Sequence, residues 1–313
     1  MEDIRATEIN EDCKHVLNKE TLNMKIDEIY EFDLNGYIVY RNFLSQSDVQ
    51  KINNILDDAK VKIEPKMGKF SFLPLSPYFF DLMAHPKTLE ILRVMLGDWF
   101  RFDHAIGLEM DKTSKACQPI HAGLLKEQRS FFYQWIHGQM RNGLVKVIYA
   151  LNDVNPGDGG FVCIPGSHKT NLDYYPKINS HLVVQPTLKA GDMLIFTEAL
   201  VHGSKKWTAE NRRRALIYSY APGYFAWKNY DSMKDYLKLA SDQLQKDLLR
   251  PPYVGGFDEF VFENAEGHLS TDANWAWYNH SRLPHSFDSL LIAKIKNRII
   301  TNVIKKIIKL ISN

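Results

Sequence analysis

The chain has 313 residues, 45% hydrophobic and 24% charged, which sets aside disordered and fibrous classes and allows one large all-β domain with helical additions. Its formal charge of +2 conceals an asymmetry: residues 289–313 carry six bases (Lys294, Lys296, Arg298, Lys305, Lys306, Lys309) and no acid, leaving 33 bases against 37 acids elsewhere. That mildly acidic body argues against a nucleic-acid binder. Cys13, Cys117 and Cys163 are too scattered for a disulfide framework or a zinc spacing, so a reducing, cytoplasmic compartment is expected. No run of about 18 uncharged apolar residues suggests a spanning helix. The polar start Met1-Glu2-Asp3-Ile4-Arg5 is not expected to be a signal peptide.

In chain order, residues 1–30 read as a loose arm or short outer helix. Asp33-Leu-Asn-Gly36 reads as a turn and Tyr37–Tyr40 as a strand. Ser45, with Asp48 three residues on, predicts a capped helix whose apolar positions Val49, Ile52, Ile55 and Leu56 share one face. Pro86 suits the first turn of a second helix closed by Gly97. From Phe100 the texture becomes strands: 100–110, 144–151, 161–165, 181–185, 193–198 and 215–220, separated by turns such as Asn155-Pro-Gly-Asp-Gly-Gly160. Short strands without intervening helices predict a mainly β jelly roll, not a parallel α/β sheet. One helix is expected over 232–249, stopped by Pro251-Pro252. An irregular aromatic cover with Trp275, Trp277 and Tyr278 follows, and the domain is expected to span 31–288.

The stretch that organises the chain is Gly191-Asp-Met-Leu-Ile-Phe196 with His202 just beyond it and Arg213 eleven residues further on. On adjacent strands, such a histidine and arginine can face one cavity. The histidine can hold a metal while the guanidinium takes a carboxylate bidentately. That is the logic of a non-heme iron, 2-oxoacid-dependent oxygenase. With Phe32-Asp-Leu-Asn-Gly-Tyr-Ile-Val39, the run Asp153 through Pro156-Gly-Asp-Gly-Gly-Phe-Val-Cys-Ile-Pro-Gly-Ser-His-Lys169 and the His202-Gly-Ser204 motif, the chain resembles the phytanoyl-CoA dioxygenase family over roughly residues 32–223. The resemblance implies a double-stranded β-helix, an Fe(II) centre and 2-oxoglutarate. It makes His202 the distal metal ligand and Arg213 the cosubstrate anchor.

The proximal His-x-Asp of that family is missing: none of the eleven histidines has Asp or Glu two residues later. The nearest fit is Pro119-Ile-His121-Ala-Gly123, which resembles a variant branch with glycine in the carboxylate position and makes His121 the second ligand. Three outcomes stay open. His-x-Gly is the pattern of iron/2-oxoglutarate halogenases, where chloride fills the place of the carboxylate. Alternatively, Glu198 or His137 restores a third ligand. Otherwise metal binding is weakened, leaving a non-catalytic binding module on an oxygenase fold. The default expectation is hydroxylation of a small organic substrate by O2, with 2-oxoglutarate converted to succinate and CO2. His168 is expected to stabilise a turn, Asp192 to cap one, and Tyr149 and Tyr218 to be core aromatics or contacts of the cosubstrate. In 289–313 Ile292, Ile295, Ile299, Val303 and Ile307 recur at helical spacing, predicting a basic amphipathic helix that rests on the body, another subunit or an anionic membrane surface.

Overall fold

The computed structural model describes residues 24–252, 262–263 and 269–270, apart from 65, 98, 115–116, 123–131, 137 and 173. Gly123, His137, the Trp275–Tyr278 cover and the basic C-terminal stretch lie outside the described residues.

Helix α1 (Ile26–Asn35) leads into β1 (Tyr37–Tyr40). The Asp33–Gly36 turn is the end of that helix: Gly36 sits at φ 77° and donates its N–H to Phe32 O, a left-handed cap that glycine takes without a Cβ penalty. Helix α2 (Gln46–Asp58) starts at Ser45, whose hydroxyl accepts from Asp48 N, as its sequence predicts. After the short strand β2 (Lys69–Phe70) come α3 (Pro77–Met83), unsignalled by any apolar period, and α4 (Pro86–Leu96).

The strands that follow are β3 (Phe100–Met110), β4 (Gln118–His121), β5 (Tyr133–Ile136), β6 (Gln139–Asn142), β7 (Val145–Ala150), β8 (Gly160–Cys163), β9 (Met193–Thr197), β10 (His202–Lys205) and β11 (Arg213–Pro222). A six-stranded sheet has the order β1-β9-β7-β11-β3-β2 and faces a three-stranded sheet β4-β10-β8. This is the double-stranded β-helix expected from the sequence. Two expectations fail locally. The run 181–185 forms no strand, only an isolated bridge between Val184 and Cys163. The helix expected over 232–249 is two short ones, α5 (Lys234–Leu239) and α6 (Gln243–Leu248), because Asp242 accepts from Gln245 N and starts a new helix. Hairpins β5–β6 and β12 (Phe262–Glu263) with β13 (Leu269–Ser270) stand outside the two sheets. No helix among the described residues is long and apolar enough to cross a membrane.

Strand alternation divides the interior into two cores. Val145, Val147, Tyr149, Met193, Ile195, Leu216 and Tyr218 face the helices, packing with residues such as Leu89, Leu92 and Met95 of α4. Ile148, Ala150, Leu194, Phe196, Ala215 and Ile217 face the barrel interior, with Phe161, Leu200 and Trp207. Tyr149 and Tyr218 are therefore core aromatics: their hydroxyls meet Thr88 at 2.8 Å and Phe79 O at 3.0 Å.

Asp192 does more than cap its turn. It accepts from Lys189 N at 2.8 Å and Asn42 N at 2.9 Å and pairs with Arg41 at 2.7 Å, tying the β9 turn to the loop after β1. Arg214, 2% exposed, fastens the large sheet to α2 through Glu109 at 2.6 Å and Asp57 and Asn53 at 2.9 and 3.0 Å. Replacing it with methionine leaves the part-buried Glu109 carboxylate only the longer contact with Arg212, at 3.7 Å. Arg214→Met should cost about 3 kcal/mol in urea unfolding while leaving metal affinity within about twofold.

Candidate active site

The smaller sheet brings the two expected histidines together. His121 ends β4, His202 opens β10, and the two are cross-strand partners, with ring centroids 4.3 Å apart. His202 begins a strand and is buried, at 5% exposure; the spacing alone placed it just past one. Each imidazole is held in the same way. Nδ1 of His121 donates to Pro119 O at 2.8 Å, and Nδ1 of His202 donates to Leu200 O at 2.7 Å. A carbonyl only accepts, so these bonds fix the Nδ1–H tautomer and leave both Nε2 atoms as ligand donors. Phe161 and Phe196 wall the His202 ring, with centroids 6.0 and 4.8 Å away.

The third group comes from the larger sheet. Glu198 lies just past β9, its N–H bonded to Leu144 O at 2.9 Å, and it is 3% exposed. Ligand atoms of His121, Glu198 and His202 all lie within 4.8 Å of one another. Burial would raise the Glu198 pKa, but the charges of Lys146, His202 and His121 outweigh it and hold the carboxyl below its ordinary range. Burial, helped by the charge of His121, pushes His202 down to about 4 despite Glu198. A carboxylate and a neutral imidazole are the protonation states that bind metal. Lys146 Nζ is 3.2 Å from Glu198 Oε2, but no hydrogen bond is directed at that oxygen.

Arg213 opens β11 opposite Met110 and is 3% exposed. Its neighbours Arg212 and Arg214 turn outward to Asp57 and Glu109. Arg213 itself has no carboxylate partner among the described residues. Nη1 touches Met110 Sδ at 3.6 Å, and Nε has no hydrogen-bond acceptor. Burial alone lowers its pKa to about 10, so it remains a cation at neutral pH. Room for it is made by Gly160, at φ 78°, where a Cβ would come within 2.7 Å of Arg213 Nε. Between Arg213 and His202 lies a cavity of about 90 Å³, lined by Met110, Gln118, Lys146, Ile148, Phe196 and Ser204 among others.

Residues 32–215 match the family model of phytanoyl-CoA dioxygenase (PhyH). The chain belongs to this family. The dioxygenase olcK of Penicillium canescens is 23% identical over 230 residues, covering 65% of this chain and 73% of olcK. The dioxygenase andF of Emericella variicolor is 25% identical over 213 residues, covering 61% of this chain and 71% of andF. Among solved structures, HygX from Streptomyces hygroscopicus with nickel and 2-oxoglutarate bound superposes with a TM-score of 0.59 at 24% identity, over 66% of this chain and 90% of HygX. Apo EctD from S. alaskensis gives 0.52 at 21% identity, over 64% of this chain and 78% of EctD. Both structures support the jelly-roll fold. As a phytanoyl-CoA dioxygenase-type enzyme, the protein uses Fe(II) and 2-oxoglutarate.

The site fits both cofactors. A buried guanidinium with an unpaired N–H is an expensive group to leave uncompensated, and a dicarboxylate supplies its counter-charge. One nitrogen from each of two imidazoles and a carboxylate oxygen, all within 4.8 Å of one another, form the donor set of non-heme iron. His168 is not part of it: it is buried in a turn, its Nε2 3.1 Å from Asp33 O. Glu198 was one of the alternatives the sequence offered for the third ligand, four residues before His202 and just past the end of β9. Lys146 and Gly160 were missed, although a lysine breaking the apolar run 144–151 was a signal.

Gly160→Ala should raise the KM for 2-oxoglutarate about tenfold or more by displacing Arg213, with Fe(II) affinity unchanged. Burial and the charge of Lys169 lower the His168 pKa from 6.5 to about 4, so as pH falls the unfolded chain takes the proton first. Its stabilising contribution is full above pH 6.5 and is lost between 6.5 and 4. His168→Gln should flatten the fall of Tm across that window.

Proposed function

We propose that this protein is a hydroxylating Fe(II)/2-oxoglutarate-dependent oxygenase of a small organic substrate, with the metal held by His121, Glu198 and His202 and 2-oxoglutarate anchored by Arg213. The observation that carries this reading is the position of Glu198 beside the two histidines. The carboxylate absent from the His121-x-Gly123 motif is replaced from a different strand of the other sheet. With a protein carboxylate available, Glu198 would hold the metal where a halogenase would leave room for a halide, which favours hydroxylation over halogenation.

Bound Fe(II) with 2-oxoglutarate supplies an oxidant from O2 as the oxoacid is decarboxylated to succinate. The chain's own residues prepare that chemistry. Pro119 O and Leu200 O orient the imidazoles, Lys146 keeps Glu198 ionised, and Arg213 sets the depth and direction of the cosubstrate. Phe161, Phe196, Ile148 and Ile217 exclude water from the reacting end.

Anaerobic titration should yield one Fe(II) per chain and, on adding 2-oxoglutarate, the charge-transfer band of the chelate. Glu198→Ala should weaken Fe(II) binding about tenfold or more, and Glu198→Gln should weaken it similarly because the amide cannot carry the charge. Metal affinity indifferent to both changes would remove Glu198 from the centre. Products formed in chloride should gain oxygen and no chlorine; chlorinated product would establish the halogenase reading. Absence of succinate under all conditions, with no iron bound, would leave a non-catalytic binding module.

A further inference from the structure

The described lining of the cavity contains three long cationic side chains, Lys69, Lys146 and Arg213, and no carboxylate. Two of these charges have counterparts. Arg213 takes the distal carboxylate of 2-oxoglutarate under the function proposed above, and Lys146 faces Glu198 at 3.2 Å. Among the described residues Lys69 has none at contact distance. The half-buried ammonium has its pKa lowered by desolvation first and by the charges of Lys146 and Lys228, against the pull of Glu64.

Strand register explains why these groups meet. On the barrel face, Lys146 stands opposite Ser219 and Ser219 opposite His104, forming a polar row across the sheet. The next row inward is apolar, with Ile106, Ile217, Ile148 and Leu194 in register. Lys69 joins from β2, opposite Leu108. It also belongs to a second, open groove of about 460 Å³ lined by Lys62, Ile63, Glu64, Phe70, Ser71, Ala105 and Ile106. Lys69 and Ile106 are common to groove and cavity, so Lys69 stands where one gives onto the other.

Charge accounting then has a direction. Fe(II), Arg213 and Glu198 with dianionic 2-oxoglutarate would balance by themselves. Lys69 and Lys146 then add two positive charges against the one negative charge of Glu64, which pulls on Lys69 from the groove, so the loaded site keeps a positive excess that attracts an anion. We propose that the substrate oxidised here is a small-molecule anion, a carboxylate, that enters along the Lys62–Ser71 groove and is received by Lys69, with Lys146 beyond it. Lys69 is then a specificity residue for the substrate, separate from the cosubstrate anchor. Lys146 keeps its place beside Glu198 and adds to the field that draws the anion inward.

The test uses full-length protein loaded anaerobically with Fe(II) and saturating 2-oxoglutarate. It is titrated with straight-chain alkanoates from acetate to octanoate and with the matching primary amides, following perturbation of the charge-transfer band and heat of binding. The best carboxylate should bind about tenfold more tightly than its amide. Lys69→Gln should bring the two within about twofold, and Lys69→Arg should keep the preference. In both variants 2-oxoglutarate affinity should stay unchanged. Equal binding of acid and amide across the series, including no binding of either, overturns the proposal. So does a preference that survives Lys69→Gln, or a parallel loss of 2-oxoglutarate affinity, which would make Lys69 a cosubstrate anchor. Failure of the band to form before any alkanoate is added overturns the proposed function itself, and this inference with it.

Discussion

Strands β7, β9 and β11 are covered on both faces, and the two-residue period of a strand decides which side chain serves which side. Odd positions of β7 and β9 and even positions of β11 pack against the helices; the alternate positions face the barrel. The large sheet's share of the candidate site, Lys146 of β7, Phe196 of β9 and Arg213 of β11, inherits its place from that parity. A one-residue slip of β9 would turn Phe196 toward the helices and carry Glu198 away from the histidines. The buried aromatic cluster on the helix side, where Phe72, Phe79 and Phe102 pack edge-on around Tyr149, Tyr218 and Tyr220, resists such a slip. The packing that stabilises one face fixes the chemistry available on the other.

Within the barrel, electrostatics and shape act together. The cavity brings several charged groups out of water, and each has either a partner in the chain or a role that awaits a ligand. Lys146 offsets the burial of Glu198, and Glu198 in turn stands beside His202 and His121. Arg213 sits beside Met110 and over Gly160 with no acid paired to it among the described residues. A burial cost of that kind persists where a bound anion repays it. Arg212 and Arg214, which point away from the cavity, show the contrast, since both are neutralised by acids of the fold.

Much of this was legible in the sequence, for physical reasons that can be named. The Ser45 cap, the left-handed Gly36 and Gly97 and the Pro86 start are local signals, because the backbone groups they satisfy lie within a few residues. The turn 155–160 and the apolar runs 145–150 and 193–197 are likewise local, and their succession predicts the jelly roll. His202 and Arg213 stood out by their spacing on adjacent strands, and His121 only by its resemblance to the family's proximal loop. The helix over 232–249 was overextended because apolar periodicity carries across a break that Asp242 imposes by capping. The run 181–185 meets β8 only at the Val184–Cys163 bridge, and one bonded pair does not make a strand.

The sequence by itself determined the fold class, the family and the cofactors, since turns, caps and the order of motifs are properties of neighbouring residues. It left open what completes the metal set, because no His-x-Asp exists and three answers fitted. Only the tertiary structure decided that Glu198, from the larger sheet, stands beside His121 and His202 from the smaller one. That proximity depends on how two sheets pack and on the exit direction of the chain after β9, which no spacing encodes. The pairing of Lys146 with Glu198 and the isolation of Arg213 are decided in the same way. A charge has a partner or lacks one only once distant strands have been brought together.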